Sequence, residues 1–128
     1  MKKIVQTNHA PAAIGTYSQA IRAGNTIYVS GQIPLDPNSM QMVMGDFENH
    51  VKQAFENLKA VVTAARANLS DIVKLTIYLH DMNQFAIVNE VMATYFVEPY
   101  PARAVVQVSR LPKDALIEID AVVVTSDR

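Results

Sequence analysis

Residues 116–125, Leu116-Ile117-Glu118-Ile119-Asp120-Ala121-Val122-Val123-Val124-Thr125, decide how this chain reads. The run has the character of a β-strand, in which successive side chains point to opposite faces. Ile117, Ile119, Ala121 and Val123 share one face, which calls for a covering layer. The other face holds Glu118 and Asp120 and then turns apolar at Val122 and Val124. A face given wholly to water does not usually change character halfway. The strand before it, Ala102 to Val108, repeats the pattern: Arg103, Val105 and Gln107 lie on one side, Ala104, Val106 and Val108 on the other. Both strands therefore carry a second face, half apolar and half charged, that helices stacked on the first face cannot cover. Two readings stand. Other subunits cover it, with the charged ends lining a wet pocket, or the valines are scattered surface residues, which are common.

Working outward, Leu111-Pro112-Lys113-Asp114 joins these two strands. Upstream, Asp81 caps a helix carrying Phe85, Val88, Met92, Tyr95 and Phe96, which Pro99 and Pro101 end. Val73, Leu75, Ile77 and Leu79 alternate with Lys74, Thr76, Tyr78 and His80, a strand with one buried face. Before it, Phe47, Val51, Phe55, Leu58, Val62 and Ala65 recur at three and four residues, an amphipathic helix with Asp46 at its N-cap and Asn68 at its stop. Gly31 to Gly45 holds Pro34, Pro37, Asn38 and Ser39 and reads mostly as loop. Ser18–Ala23 and Thr26–Ser30 flank Gly24-Asn25, a two-residue hairpin signal. Lys2 to Thr7 is a short strand, and His9 to Gly15 is loop. The order β-ββ-α-β-α-ββ predicts an α+β fold: a mixed sheet with both helices on one face, residues 1–128 forming a single domain.

With 128 residues the chain can hide about two-thirds of its unfolded surface. It has no cysteine, which removes disulfide scaffolds, thiolate metal sites and cysteine nucleophiles. Eleven basic residues against twelve acidic ones leave no excess positive field for a phosphate backbone. After Met1-Lys2-Lys3 the apolar run is only Ile4-Val5, too short for a secretory signal, and no window reaches the length of a membrane span. The expectation is a soluble, cytoplasmic protein.

Most catalytic signatures are missing. Gly15, Gly24, Gly31 and Gly45 are too far apart for a phosphate loop. His9, His50 and His80 sit in unrelated elements at no metal-ligand spacing, and each reads as a surface or capping histidine; no metal is expected. Arg103, behind Pro101-Ala102, is either half of an ion pair with Glu118 or Asp120, or a fork for a planar carboxylate. Glu118 sits among apolar neighbours that can raise its pKa and fit it for proton transfer, or it lies on a solvated face. Tyr17 offers a hydroxyl to a ligand or closes the core. Ser30-Gly31 ends a strand where the chain turns, and a glycine there lets a ligand approach the backbone.

Several strings then resemble the YjgF/RidA family of reactive-intermediate deaminases, also called endoribonuclease L-PSP-like: Ala10-Pro11-Ala12-Ala13-Ile14-Gly15 with Tyr17, Ser30-Gly31-Gln32-Ile33-Pro34, Asp71-Ile72-Val73-Lys74, Pro101-Ala102-Arg103, and Arg110-Leu111-Pro112-Lys113-Asp114 leading into Ile117-Glu118-Ile119. Each is weak alone; in one register along the whole chain they are specific. The resemblance implies a chorismate-mutase-like fold, a homotrimer whose sheets form an inner barrel, and clefts between subunits. It implies hydrolysis of 2-imino acids and their enamine tautomers, 2-iminobutanoate and 2-iminopropanoate among them, to 2-oxo acids and ammonia, without a cofactor. Arg103 then grips the substrate carboxylate, Glu118 stands near the attacking water, and Tyr17, Ser30, Gly31 and Asn89 belong to the pocket.

Val105 stands where many members have a cysteine; with water as nucleophile it shapes the wall and offers its backbone amide. Thr16 replaces a frequent proline, Asn38-Ser39-Met40 lacks the usual glycine, and Val97-Glu98-Pro99-Tyr100 is short, so the cleft rim differs. The chemistry asks little, because protonated imines are already electrophilic. Positioning is worth several kcal/mol and an acid–base group about 10²–10⁴-fold. The expectation is therefore a guanidinium and a carboxylate converging from neighbouring strands on a cleft that one chain cannot enclose. The alternatives are a non-catalytic small-carboxylate sensor on the same trimer and a ribonuclease-type translation inhibitor; the charge balance and the lack of a His-His or His-Lys pair oppose the last.

Overall fold

The computed structural model describes residues 1–126. These form strands β1 (Lys2–Val5), β2 (Ala20–Ala23), β3 (Thr26–Gln32), β4 (Ile72–Leu79), β5 (Ala102–Gln107) and β6 (Ile117–Val124), with helices α1 (Phe47–Ala64) and α2 (Phe85–Met92). The strands make one sheet in the order β1-β2-β3-β6-β4-β5. Neighbours are antiparallel except β4 and β5, which run parallel. The last two strands are therefore not a hairpin. β6 inserts between β3 and β4, and β5 lies at the sheet edge.

The two-faced reading of β6 holds. Ile117, Ile119, Ala121 and Val123 are buried, Val122 is half-buried and Val124 is exposed. Cross-strand pairing puts Ile119 beside Ile77 and Ala121 beside Leu75, so one continuous apolar layer faces α1. Val51, Phe55, Leu58, Val61 and Val62 complete it from the helix. Burying each such side chain is worth about 1.5–3 kcal/mol. Across the open face, Ile4, Ile21, Tyr28 and Val122 line up in one row of paired residues. Ile4 and Tyr28 are exposed, as are Val73, Val106 and Val124.

Two bulges break the expected alternation. In β4 the register slips between Ile72 and Lys74, so Val73 is 47% exposed and Ile72 takes the buried place. In β3 it slips between Val29 and Gln32, so Ser30-Gly31 lies inside the strand and does not end it. A bulge adds a residue to one strand and re-aims the side chains beyond it.

Asp46 caps α1 as expected, accepting from the Asn49 amide at 3.1 Å. The helix stops before Asn68. Arg66 adopts a left-handed φ of 62°, and Arg22 donates to the Ala65 carbonyl at 2.5 Å, satisfying a helix-end acceptor. Asn68 instead opens a 3-10 turn, Leu69–Asp71, and its amide donates to Asp71 at 2.8 Å. Asp81 caps a 3-10 turn, Met82–Gln84, that runs into α2. That helix ends at Met92, well before Pro99. Thr94 Oγ1 turns back to the Val91 carbonyl at 2.6 Å, and Tyr95 and Phe96 leave the helix to pack on Phe55 with ring centroids 5.2 and 6.0 Å away. His50, read as a surface or capping residue, is buried on α1 with Nδ1 unpartnered among the described residues.

Candidate functional site

Two depressions hold the residues singled out from the sequence. The first, of about 530 Å³, is lined by Tyr17, Ser30, Gly31, Met40, Lys113 and Glu118 among others. Its floor is the β3 bulge. The Glu118 carboxyl lies directly over Gly31: a β-carbon built there would come within 2.6 Å of Glu118 Cδ and 3.0 Å of Cγ. Only a residue without a side chain leaves the carboxyl this place. Burial, and then the charge of Asp120, raise the Glu118 pKa above the usual carboxylate value. Ser30 Oγ donates to the Ser18 carbonyl at 2.6 Å, fixing the segment that carries Tyr17. Tyr17 is 53% exposed, and its hydroxyl accepts from the Ile14 amide at 3.4 Å, so it does not close the core.

The second depression, of about 480 Å³, lies at the sheet edge between β5 and α2 and is lined by Asn89, Met92, Ala93, Tyr100, Pro101 and Arg103. Arg103 Nη1 donates to Asn89 Oδ1 at 2.5 Å and to Met92 Sδ at 3.6 Å, and the guanidinium sits 5.2 Å from the Phe85 ring centroid. Stacking and these contacts from one nitrogen orient the fork while leaving donors for a planar carboxylate.

The structure does not bring Arg103 and Glu118 together within one chain. They are not on neighbouring strands, since β4 lies between β5 and β6. The register places Arg103 beside Leu75 on the helix-covered face and Glu118 beside Tyr78 on the open face. The ion pair of Arg103 with Glu118 or Asp120 is not formed. Asp120 instead accepts from the Tyr78 hydroxyl at 3.0 Å. Val105, beside Ile77, is half-buried against the core. Among the described residues no group of three or more His, Cys, Asp or Glu is placed to hold a metal. No helix there is long and apolar enough to cross a membrane.

Sequence reasoning missed two residues that hold the first depression open. Gln19, 3% exposed, accepts from the Thr7 amide at 2.8 Å and donates to the carbonyls of Thr7 and Pro11 at 3.0 and 2.8 Å, anchoring the loop before Tyr17. Asn57, 1% exposed, donates to the Ile33 and Leu35 carbonyls, each at 3.0 Å. A polar residue beside the apolar stripe of α1 was the available signal for Asn57; Gln19 gave none.

Fold and depressions together define a small α+β protein with a half-buried carboxyl, Glu118, in one surface cleft and an exposed arginine, Arg103, in another. A family model described as endoribonuclease L-PSP matches residues 7–125. A RutC family protein of Pyrococcus horikoshii is 53% identical over 95% of this chain and 97% of its own length. A 2-iminobutanoate/2-iminopropanoate deaminase of Mus musculus is 47% identical over 97% of this chain and 92% of its own. The crystal structure of Escherichia coli TdcF with bound serine superposes with a TM-score of 0.92 at 42% identity, covering 97% of this chain and 99% of that one. The chain belongs to the YjgF/RidA family, the endoribonuclease L-PSP-like proteins.

Proposed function

We propose that this protein hydrolyses 2-imino acids and their enamine tautomers, 2-iminobutanoate and 2-iminopropanoate among them, to 2-oxo acids and ammonia. It acts as a homotrimer without a cofactor, in the cytoplasm. The observation that carries the reading is the half-buried Glu118 carboxyl laid against Gly31 in the cleft that holds Tyr17. Relatives named as imine deaminases support it.

The split between the two depressions gives the site its architecture. Arg103 stands at the sheet edge and Glu118 on the uncovered face; on this reading Arg103 of one protomer meets Glu118, Tyr17, Ser30 and Gly31 of the next. Arg103 then holds the substrate carboxylate, oriented by Asn89. Water adds to the carbon of the protonated C=N bond, whose π pair moves to nitrogen. Glu118 takes one proton from that water and returns it to nitrogen; it then takes the hydroxyl proton as the oxygen pair closes the C=O bond, the C–N pair leaves with ammonia, and Glu118 passes that proton on to the departing ammonia. The carboxylate must be ionised to accept the proton, and its raised pKa makes it a stronger base for that step.

The test supplies freshly generated 2-iminobutanoate and follows 2-oxobutanoate release over background. Acceleration that Arg103→Ala abolishes supports the reading, and no acceleration overturns it. The serine in the E. coli relative favours a second reading, a small-carboxylate sensor, under which 2-oxobutanoate binds without turnover.

A further inference from the structure

We infer that Met40 sets which substrate side chains this site accepts, favouring short unbranched ones. The inference rests on the deaminase reading of the Glu118 cleft. Met40 is half-buried and lines that cleft together with Ile33 and Leu35. Its backbone has φ of 60°, a left-handed conformation that favours glycine and disfavours an ordinary side chain. Such a conformation persists when the surroundings enforce it, and it concentrates at functional sites.

Here the enforcement is visible. The Met40 amide donates to the Asp36 carbonyl at 2.8 Å, the Asp36 amide donates to the Gln41 carbonyl at 2.9 Å, and Asp36 Oδ1 accepts from the amides of Asn38 and Ser39 at 2.8 and 3.1 Å. Asn57 holds the base of the same loop through Ile33 and Leu35. The turn is thus fixed at both ends, and it carries a thioether where glycine would sit without strain.

The charged groups of a 2-imino acid belong at the polar end of the site, with Arg103 and Glu118. Its side chain is left the apolar wall of Ile14, Ile33, Leu35 and Met40. The first three are branched. Met40 is the long flexible member, and truncating it enlarges the wall most.

The experiment measures kcat/KM for 2-iminopropanoate, 2-iminobutanoate and 2-imino-4-methylpentanoate, each generated in place by an amino-acid oxidase. Wild type is expected to prefer the two shorter substrates. Met40→Ala and Met40→Gly should raise the ratio of the branched to the shortest substrate about tenfold or more, the scale of one or two methylenes in an apolar pocket. Met40→Leu should leave the ratio near wild type. Met40→Gly should also raise the thermal midpoint, which establishes that the variant folds. A ratio unchanged in active, folded variants, or equal losses on every substrate, overturns the assignment of Met40 alone. Wild type without activity on any of the three overturns the deaminase reading and this one with it.

Discussion

The narrowest constraint in the molecule is the pair Gly31 and Glu118. A methyl group at residue 31 would overlap the glutamate carboxyl, so Gly31→Ala must shift that carboxyl from its place against residue 31. Gly31 has no left-handed φ, so the substitution carries no backbone penalty of that kind. The expected result is a fall in kcat toward that of Glu118→Gln, about 10²-fold or more, with a fold that still unfolds cooperatively. Steady-state kinetics with thermal unfolding on the same sample check it. The raised pKa of Glu118 fixes two pH effects of defined sign. Activity that needs the carboxylate is lost as pH falls through the raised value, so the acid limb of kcat lies above the ordinary glutamate range and vanishes in Glu118→Gln. Stability runs the other way. In the window between the ordinary and the raised pKa the folded state binds more protons than the unfolded one, so this group's contribution declines as pH rises. Comparing wild type with Glu118→Gln by urea unfolding across that window isolates the effect; a difference that grows in wild type's favour with pH contradicts it. The sequence indicated the carboxyl and its apolar neighbours. The glycine beneath it was legible only as a point of close approach, because the bulge that brings the two together depends on the register of β3 against β6.

At the scale of elements, α1 is the best determined. Asp46→Ala removes the acceptor of the Asn49 amide and should cost about 0.5–2 kcal/mol in denaturant unfolding with kcat/KM unchanged, since α1 packs on the face of the sheet away from Glu118. A change in kcat/KM without a change in stability would mean that Asp46 acts on the cleft as well as on the helix end. The stripe from Phe47 to Ala65 and the buried face of β6 were readable because each is a local period, set by 3.6 or 2 residues per repeat. The C-terminal ends of both helices were not. A left-handed residue after α1 and the aromatic packing of Tyr95 and Phe96 on Phe55 are tertiary decisions. Val73 was misplaced for a related reason: one inserted residue reverses the face of everything on its far side, and period-2 counting has no term for it. Strand order was the largest loss. Adjacency in sequence suggested that β5 and β6 pair, whereas β6 crosses to the centre and leaves Arg103 at the edge.

For the whole molecule, the proposed joining of Arg103 and Glu118 across a subunit boundary makes oligomeric state part of the chemistry. A protomer exposes Ile4, Tyr28, Val106 and Val124 on the sheet face that no helix covers, and the two depressions lie on different sides of that sheet. If each site takes its arginine from one protomer and its carboxylate from the next, two dead variants can repair each other. Arg103→Ala supplies intact Glu118, and Glu118→Gln supplies intact Arg103. Each alone should form the trimer and keep about a hundredth of wild-type turnover or less. Unfolded together in equal amounts and refolded, they should recover about a quarter of wild-type activity, because in a cyclic assembly each interface has one chance in four of joining the two intact halves. The remaining interfaces lack one group or both. A site enclosed within a single chain gives no recovery at any mixing ratio, since every chain then carries a broken site. Refolding each variant separately and mixing afterwards supplies the control: activity should appear only as fast as protomers exchange.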